Sequence, residues 1–254
     1  MKMRQLDDIS TLEQLGLHYK GELPVHLGLI LDGNRRWIQR QGISEVTKGH
    51  IKGYQTLKAI LHPIFQAGIH YLSVYALSNE NIRNRTEKEV NFLYKLIIQG
   101  VKDVLSESLI KEKHVRVRLI GRLHELPHEI QKEIEKVNLA TTEYRDNFIN
   151  FCVMYDGQDE LVDAAKKIVQ SGIPSYEITR QTIKQNLYTH DFPELDYIIR
   201  TGMEDGESRL SGFLLWDSSY AEFKFRSELW PDYDEQMLLE DLKDYLRRNR
   251  RKGK

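Results

Sequence analysis

Short apolar runs closed by turn residues recur along this chain, and between them the apolar positions fall three and four residues apart. Val25 to Leu31 (VHLGLIL) ends at Asp32-Gly33-Asn34 and reads as a buried strand. Five further runs share its character: Tyr71 to Leu77 (YLSVYAL), Val115 to Ile120 (VRVRLI), Phe148 to Met154 (FINFCVM), Leu195 to Ile199 (LDYII) and Glu222 to Phe225 (EFKF). Ile51 to Phe65, Val90 to Leu109, Ile130 to Ala140 and Glu160 to Val169 carry the spacing of amphipathic helices. Strands alternating with helices predict an α/β fold with a central, mostly parallel six-stranded sheet flanked by helices. No repeat, low-complexity tract or Gly/Ser linker divides the chain, so residues 1–254 are expected to form one domain. Residues 1–24 precede the first strand as a helical segment. Residues 237–254 form a charged helix ending in a basic tail.

Composition narrows the class of function. The chain has 254 residues, 40% hydrophobic and 30% charged, which is the make-up of an ordinary globular protein rather than a disordered or membrane-spanning one. Lys plus Arg number 37 against 38 Asp plus Glu, so no bulk positive field marks nucleic acid as the main partner. The apolar runs fall short of the roughly 18 residues that a spanning helix needs. Asp7, Asp8 and Glu13 stand where a secretory signal would be apolar, which predicts a cytoplasmic protein with at most peripheral membrane contact. Cys152 is the only cysteine, which excludes an intrachain disulfide and a cysteine zinc cluster.

In open α/β sheets, ligands bind beyond the carboxyl ends of the strands, and here those positions are unusually polar. Asp32, Gly33, Asn34, Arg35 and Arg36 follow the first run. Ser78, Asn79, Glu80 and Asn81 follow the second, with Arg85 close behind. Arg200-Thr201-Gly202 follows the fifth, then Arg209, Leu210 and Ser211, and Glu222 opens the last. Guanidinium forks match phosphate geometry, and a carboxylate can hold Mg²⁺ between phosphates, so this set fits a diphosphate with magnesium. Neither G-x-x-x-x-G-K-[ST] nor G-x-G-x-x-G occurs, which disfavours a nucleotide as the carrier of that diphosphate. His50, after Gly49, is either a second ligand of the anion or a plain histidine near a helix start.

Two other features have simpler readings. His124-Glu125-Leu126-Pro127-His128 matches the HExxH zinc pattern, but Pro127 belongs in a first helical turn and leaves His124 in the preceding loop. The basic residues after Tyr245 suit a helix C-terminus, where cations meet the negative end of the macrodipole.

Taken together, HLGLILDGNRRW, Gly49-His50, SVYALSNEN, IIRTG, RLSGFLLWDSSYAEFKF and LWPDYDE resemble the cis-prenyltransferases, the undecaprenyl and dehydrodolichyl diphosphate synthase family. The likeness runs from about Val25 to Gly253, and the DGNRRW form looks archaeal or eukaryotic. The resemblance implies a magnesium-dependent enzyme that condenses isopentenyl diphosphate with an allylic diphosphate into a Z-polyprenyl diphosphate for a glycosyl-carrier lipid. It also implies a hydrophobic tunnel between sheet and helices, with Phe65, Leu93, Ile97 and Val101 as wall candidates, for which plain core is the favoured reading. Asp32 would be the magnesium-linked catalytic carboxylate, and Gly33, Asn34, Arg35 and Arg36 the loop around the allylic diphosphate, with Trp37 also on the substrate and His50 helping to hold the diphosphate. Ser78, Glu80 and Asn81 correspond to the family's S-x-E-N motif beside the reacting carbons, and Arg85 to the arginine after it. Arg200, Arg209 and Ser211 would bind the isopentenyl diphosphate, and Glu222 would complete the metal site near a subunit boundary. Arg251 and Gly253 match an R-x-G that reaches into a partner subunit, which implies a homodimer or a pair with a related chain.

The chain departs from the family pattern in places. TGMEDGES between Arg200 and Arg209 is longer than usual and carries Glu204, Asp205 and Glu207, and Ile82 stands where an aromatic often follows S-x-E-N. Met154 and Asp156 replace the common Asn and Gly around Tyr155. These changes leave two alternatives: a prenyltransferase that makes a single or irregular condensation with a different acceptor, such as dimethylallyl diphosphate, and a weakly active partner subunit.

Overall fold

The computed structural model describes residues 6–204 and 206–248. Its strands are β1 (His26–Ile30), β2 (Tyr71–Ser78), β3 (Val115–Ile120), β4 (Asn147–Tyr155), β5 (Tyr197–Arg200) and β6 (Glu222–Phe225). They form one sheet in the order β3-β4-β2-β1-β5-β6, and every pairing is parallel, so the sheet is wholly rather than mostly so. The helices are α1 (Leu12–His18), α2 (Asn34–Arg40), α3 (Val46–Gln66), α4 (Asn79–Arg83), α5 (Glu87–Ser106), α6 (Ser108–Glu112), α7 (His128–Ala140), α8 (Gly157–Gln170), α9 (Arg180–Asn186) and α10 (Glu235–Arg247).

All six expected strands are present, shifted by no more than two residues at an end. Every residue of β1 is buried, as befits a central strand of a sheet covered on both faces. The chain leaves β1 toward β2 on one side, and β5 leads to β6 on the other. A crevice therefore opens beyond the carboxyl ends of β1 and β5, where connections diverge. Asp32 and Arg200, at the ends of these neighbouring strands, meet in it.

The helices differ more from expectation. Val90 to Leu109 is not one helix: Glu107 turns extended (φ −68°, ψ 125°) and separates α5 from α6. Ser106 Oγ donates to the Asp103 carbonyl at 2.9 Å, a side-chain bond that competes with continuation of the helix. The loop expected at Gly33 to Arg36 is instead the start of α2, with Gly33 as its N-cap at φ 114°. A Cβ at Gly33 would lie 2.8 Å from Leu229 Cδ2, so conformation and space both require glycine. At the other disputed motif, α7 begins at His128 with Pro127 before it, and His124 lies in a 3₁₀ turn.

Helix α3 buries Leu57, Ile60, Ile64 and Phe65 against the core. Its amino-terminal half crosses α2 at very short range through two glycines. A Cβ at Gly49 would meet the Asn34 carbonyl oxygen at 2.3 Å, and one at Gly53 would meet Asn34 Oδ1 at 2.2 Å. Trp230 Nε1 donates to the Gly53 carbonyl at 2.8 Å and fixes the same crossing from the far side. Among the described residues no helix is long and apolar enough to cross a membrane.

Candidate active site

The crevice beyond β1, β2 and β5 is a polar cleft of about 540 Å³. Asp32, Gly33, Asn34, Arg35 and Arg36 line it from the end of β1 and the start of α2; Ser78, Glu80, Asn81 and Arg85 line it from β2 and beyond; Arg200 and Ser211 close it. Asp32 holds the centre. Its Oδ1 accepts from Arg36 Nη2 at 3.1 Å and its Oδ2 from Arg200 Nη2 at 2.8 Å. Its carbonyl oxygen accepts from Thr201 Oγ1 and the Trp230 amide, both at 2.9 Å, which ties the turn to β5 and to the Leu229–Trp230 segment.

Arg200 is the best-held cation of the cleft. Its Nη1 donates to Ser211 Oγ at 2.9 Å and to the Arg209 carbonyl at 2.7 Å. Its Nε is buried with no acceptor among the described residues, a donor left over at the cleft wall. Ser211 sits at φ 49°, and its carbonyl accepts from Tyr75 OH at 3.1 Å, so the turn that presents its hydroxyl is buttressed from β2. Ser78 Oγ caps α4 by accepting from the Asn81 amide at 3.1 Å. One bond thus sets the spacing within S-x-E-N.

One group is absent from the reading of the sequence. Glu89, buried in the first turn of α5, accepts from His50 Nε2 at 3.0 Å, with Arg85 Nε at 3.6 Å and Arg35 Nε at 3.9 Å. The four-residue spacing from Arg85 is the signal that could have found it. Burial pushes the His50 imidazole below its ordinary pKa, opposed by the hydrogen bond to Glu89, so the ring is neutral at neutral pH. Burial likewise lowers Arg85, opposed by the charge of Glu89.

Not every expected residue meets the cleft. Trp37 donates Nε1 to Asp232 Oδ1 at 2.6 Å and stands outside the lining, as a tie between α2 and the segment before α10. The Arg209 guanidinium also stands outside it, paired with Glu207 at 3.0 Å. Glu222 is the first residue of β6 and pairs in register with Tyr197, whereas Arg200, at the cleft, pairs with Phe225. Within one chain, therefore, Glu222 and Asp32 are not brought together, and Glu222 accepts from Arg248 Nη1 at 3.0 Å. Arg251 and Gly253 lie outside the described residues.

A second cavity adjoins the first. It is mostly apolar, with Lys58, Asp103 and Glu107 also in its lining, measures about 190 Å³, and runs between β2, β3, β4 and the helices α3 and α5. Leu93, Ile97 and Val101 line it and Phe65 does not, although Leu93 and Val101 belong to the core cluster along with Phe65. Leu31 and Asn34 line both cavities, so the apolar space begins where the arginine-lined cleft ends.

Comparison with known proteins agrees with this arrangement. The sequence model of the family described as "Putative undecaprenyl diphosphate synthase" matches residues 30–253. The chain is 38% identical over 239 residues to a tritrans,polycis-undecaprenyl-diphosphate synthase (geranylgeranyl-diphosphate specific) of Methanopyrus kandleri, covering 92% of this chain and 86% of that one. It is 38% identical to an isoprenyl transferase of Thermus thermophilus, covering 92% and 90%. The crystal structure of lavandulyl diphosphate synthase from Lavandula x intermedia, in complex with dimethylallyl diphosphate, superposes with a TM-score of 0.85 at 32% identity, covering 92% of this chain and 99% of that one. A match of such extent, on a chain whose strand ends converge as described, shows that it belongs to the undecaprenyl diphosphate synthase family, the cis-prenyltransferases.

Proposed function

We propose that the protein condenses isopentenyl diphosphate with an allylic prenyl diphosphate to give a Z-polyprenyl diphosphate, the precursor of a glycosyl-carrier lipid. The observation that carries this reading is the junction at Leu31 and Asn34, where a cleft walled by arginines opens into an apolar cavity. A prenyl diphosphate has those two ends. The diphosphates lie among Arg35, Arg36, Arg85, Arg200 and Ser211, and the buried Arg200 Nε–H supplies a donor that no other described residue uses. The hydrocarbon enters the cavity, where each buried CH₂ contributes about 0.8 kcal/mol.

Guanidinium groups fixed before the reaction stabilise the charge that grows on the departing diphosphate. The allylic carbon becomes cationic, the double bond of isopentenyl diphosphate attacks it, and loss of a proton leaves the new Z double bond. Ser78, Glu80 and Asn81 orient the reacting carbons, and neutral His50, held by Glu89, lines the cavity rather than the cleft. Asp32, whose carboxylate faces the cleft, would hold magnesium, an ion commonly bound by one or two carboxylates plus phosphates. When bound, it supplies further charge neutralisation at the leaving group. A second copy of the chain, or a related one, bringing Arg251 and Gly253 to the site and Glu222 to the metal, belongs to the same reading.

The test is incubation of the purified protein with Mg²⁺, labelled isopentenyl diphosphate and allylic diphosphates from C5 to C25, followed by product mass and double-bond geometry. A ladder of C5 increments with Z bonds is the expected result. A single condensation, or product only with another acceptor, favours the second reading, which the likeness to lavandulyl diphosphate synthase supports. Asp32→Asn should lower turnover about a hundredfold or more, since it removes a fixed charge from the reacting centre. Near-normal turnover in that variant would end the assignment of Asp32.

A further inference from the structure

The segment between Arg200 and Arg209 brings carboxylates onto two arginines of the cleft region. Glu204 Oε1 stands 3.9 Å from Arg36 Nη1, on a guanidinium whose Nη2 is already held by Asp32 and the Gly202 carbonyl. The chain then turns back, with the Glu207 amide donating to the Glu204 carbonyl at 3.0 Å. This turn aims Glu207 Oε1 at Arg209 Nη1, 3.0 Å away. Arg209 is thereby divided: its carbonyl is fastened to Arg200 inside the cleft wall, while its guanidinium faces Glu207 outside it, with 58% of the side chain exposed.

We infer that a diphosphate seated against Arg200 and Ser211 draws in the Arg209 guanidinium, which stands outside the lining, and that Glu207, its present partner, competes for it and so sets the affinity there. The inference rests on the proposed reading of the cleft as a diphosphate site. An exposed pair between near neighbours is weak and screened by salt. A diphosphate offers more charge and several oxygens in a geometry that a guanidinium fork matches, so it can draw Arg209 away from Glu207. Exchange costs the pair that is broken. The longer loop therefore raises the concentration of diphosphate needed to fill the subsite and leaves the bond-making groups untouched.

Glu207→Gln in the full chain keeps the size of the side chain and removes its charge. Calorimetric binding of inorganic pyrophosphate at low ionic strength should tighten roughly two- to five-fold, the range that an exposed ion pair commands, and the gain should vanish at high salt. With substrates, KM for isopentenyl diphosphate should fall by a similar factor while kcat and KM for the allylic substrate stay put. Repeating the change in an Arg209→Gln background completes a double-mutant cycle in which the gain should disappear. Equal affinities with and without Glu207 would overturn the inference. So would the same gain without Arg209, which would make Glu207 a source of general repulsion. Failure of the wild-type protein to bind pyrophosphate would remove the diphosphate reading and this inference together, whereas binding that is indifferent to Glu207 removes only the inference.

Discussion

His26, the first residue of β1, is closed off from water and holds both ring nitrogens in use. Nδ1–H donates to the Pro193 carbonyl at 2.8 Å, and Nε2 accepts from Ser73 Oγ at 2.9 Å. Burial of the ring pushes its pKa from 6.5 to about 4, against the pull of the Pro193 carbonyl. Between those two values the unfolded chain binds a proton that the native one refuses, so native stability is full above pH 6.5 and is lost as pH falls toward 4. The whole loss is about 3 kcal/mol. Denaturant midpoints at pH 7 and pH 5 should therefore differ more in the wild-type protein than in a His26→Gln variant, and equal slopes would refute the buried neutral ring. Nothing in VHLGLIL distinguishes such a histidine from an exposed one at a strand entrance. Asp32 and Arg200 were legible because their position at the end of an apolar run already implies the carboxyl end of a strand, whereas Ser211, eleven residues beyond Arg200, was reached through the RLSGF motif. Glu89 was not, since what it gathers is decided by how α5 packs on α2 and α3. Glu222 was legible as a strand opener, but which end of the sheet it occupies follows only from the register of β6 on β5.

At the scale of elements, the crossing of α2 and α3 governs the site, because Asn34 sits in it and lines both cavities. Gly49→Ala would set a methyl 2.3 Å from a backbone oxygen that cannot swing aside, and Gly53→Ala would set one 2.2 Å from the Asn34 side chain and 2.9 Å from Trp230 Cδ1. Overpacking of this kind costs about 1–3 kcal/mol, with Gly49→Ala the worse of the two. Gly53→Ala should lose turnover out of proportion to its melting temperature, because the atom that must move is the side chain of Asn34. Gly100→Ala, in the middle of α5, reverses the sign: its nearest neighbour is Tyr54 Cε2 at 3.5 Å, an ordinary contact. There the gain in helix propensity, about 1 kcal/mol, should raise the melting temperature. Thermal melts of the three variants beside their turnover check the ordering. The strands were legible at this scale because a fully buried parallel strand is a continuous apolar run with few rivals. Short helices were harder: α2 buries only Ile38 and has no side-chain cap, so its seven residues carry almost no pattern.

For the whole molecule, periodicity alone could not separate a wall from a core. Phe65 and Leu93 are both buried in the same core cluster, yet only Leu93 also lines the cavity. The difference arises from the gap that α5 leaves over β2, β3 and β4, a property of three layers together. If that gap takes the hydrocarbon, its volume limits how far the chain can grow. Ile97 lines the cavity and is half-buried, so a larger ring can be accommodated there with less strain than at a fully enclosed position. Ile97→Trp should therefore fill part of the roughly 190 Å³ while sparing the cleft, which it does not line. The expected outcome is a product ladder that stops earlier, with the first condensation proceeding at close to its wild-type rate. Product masses from single-turnover and extended incubations read the two quantities separately. An unchanged ladder would mean that the hydrocarbon takes another route out of the cleft. A loss of the first condensation as well would mean that the bulk had reached Asn34 and the reacting centre.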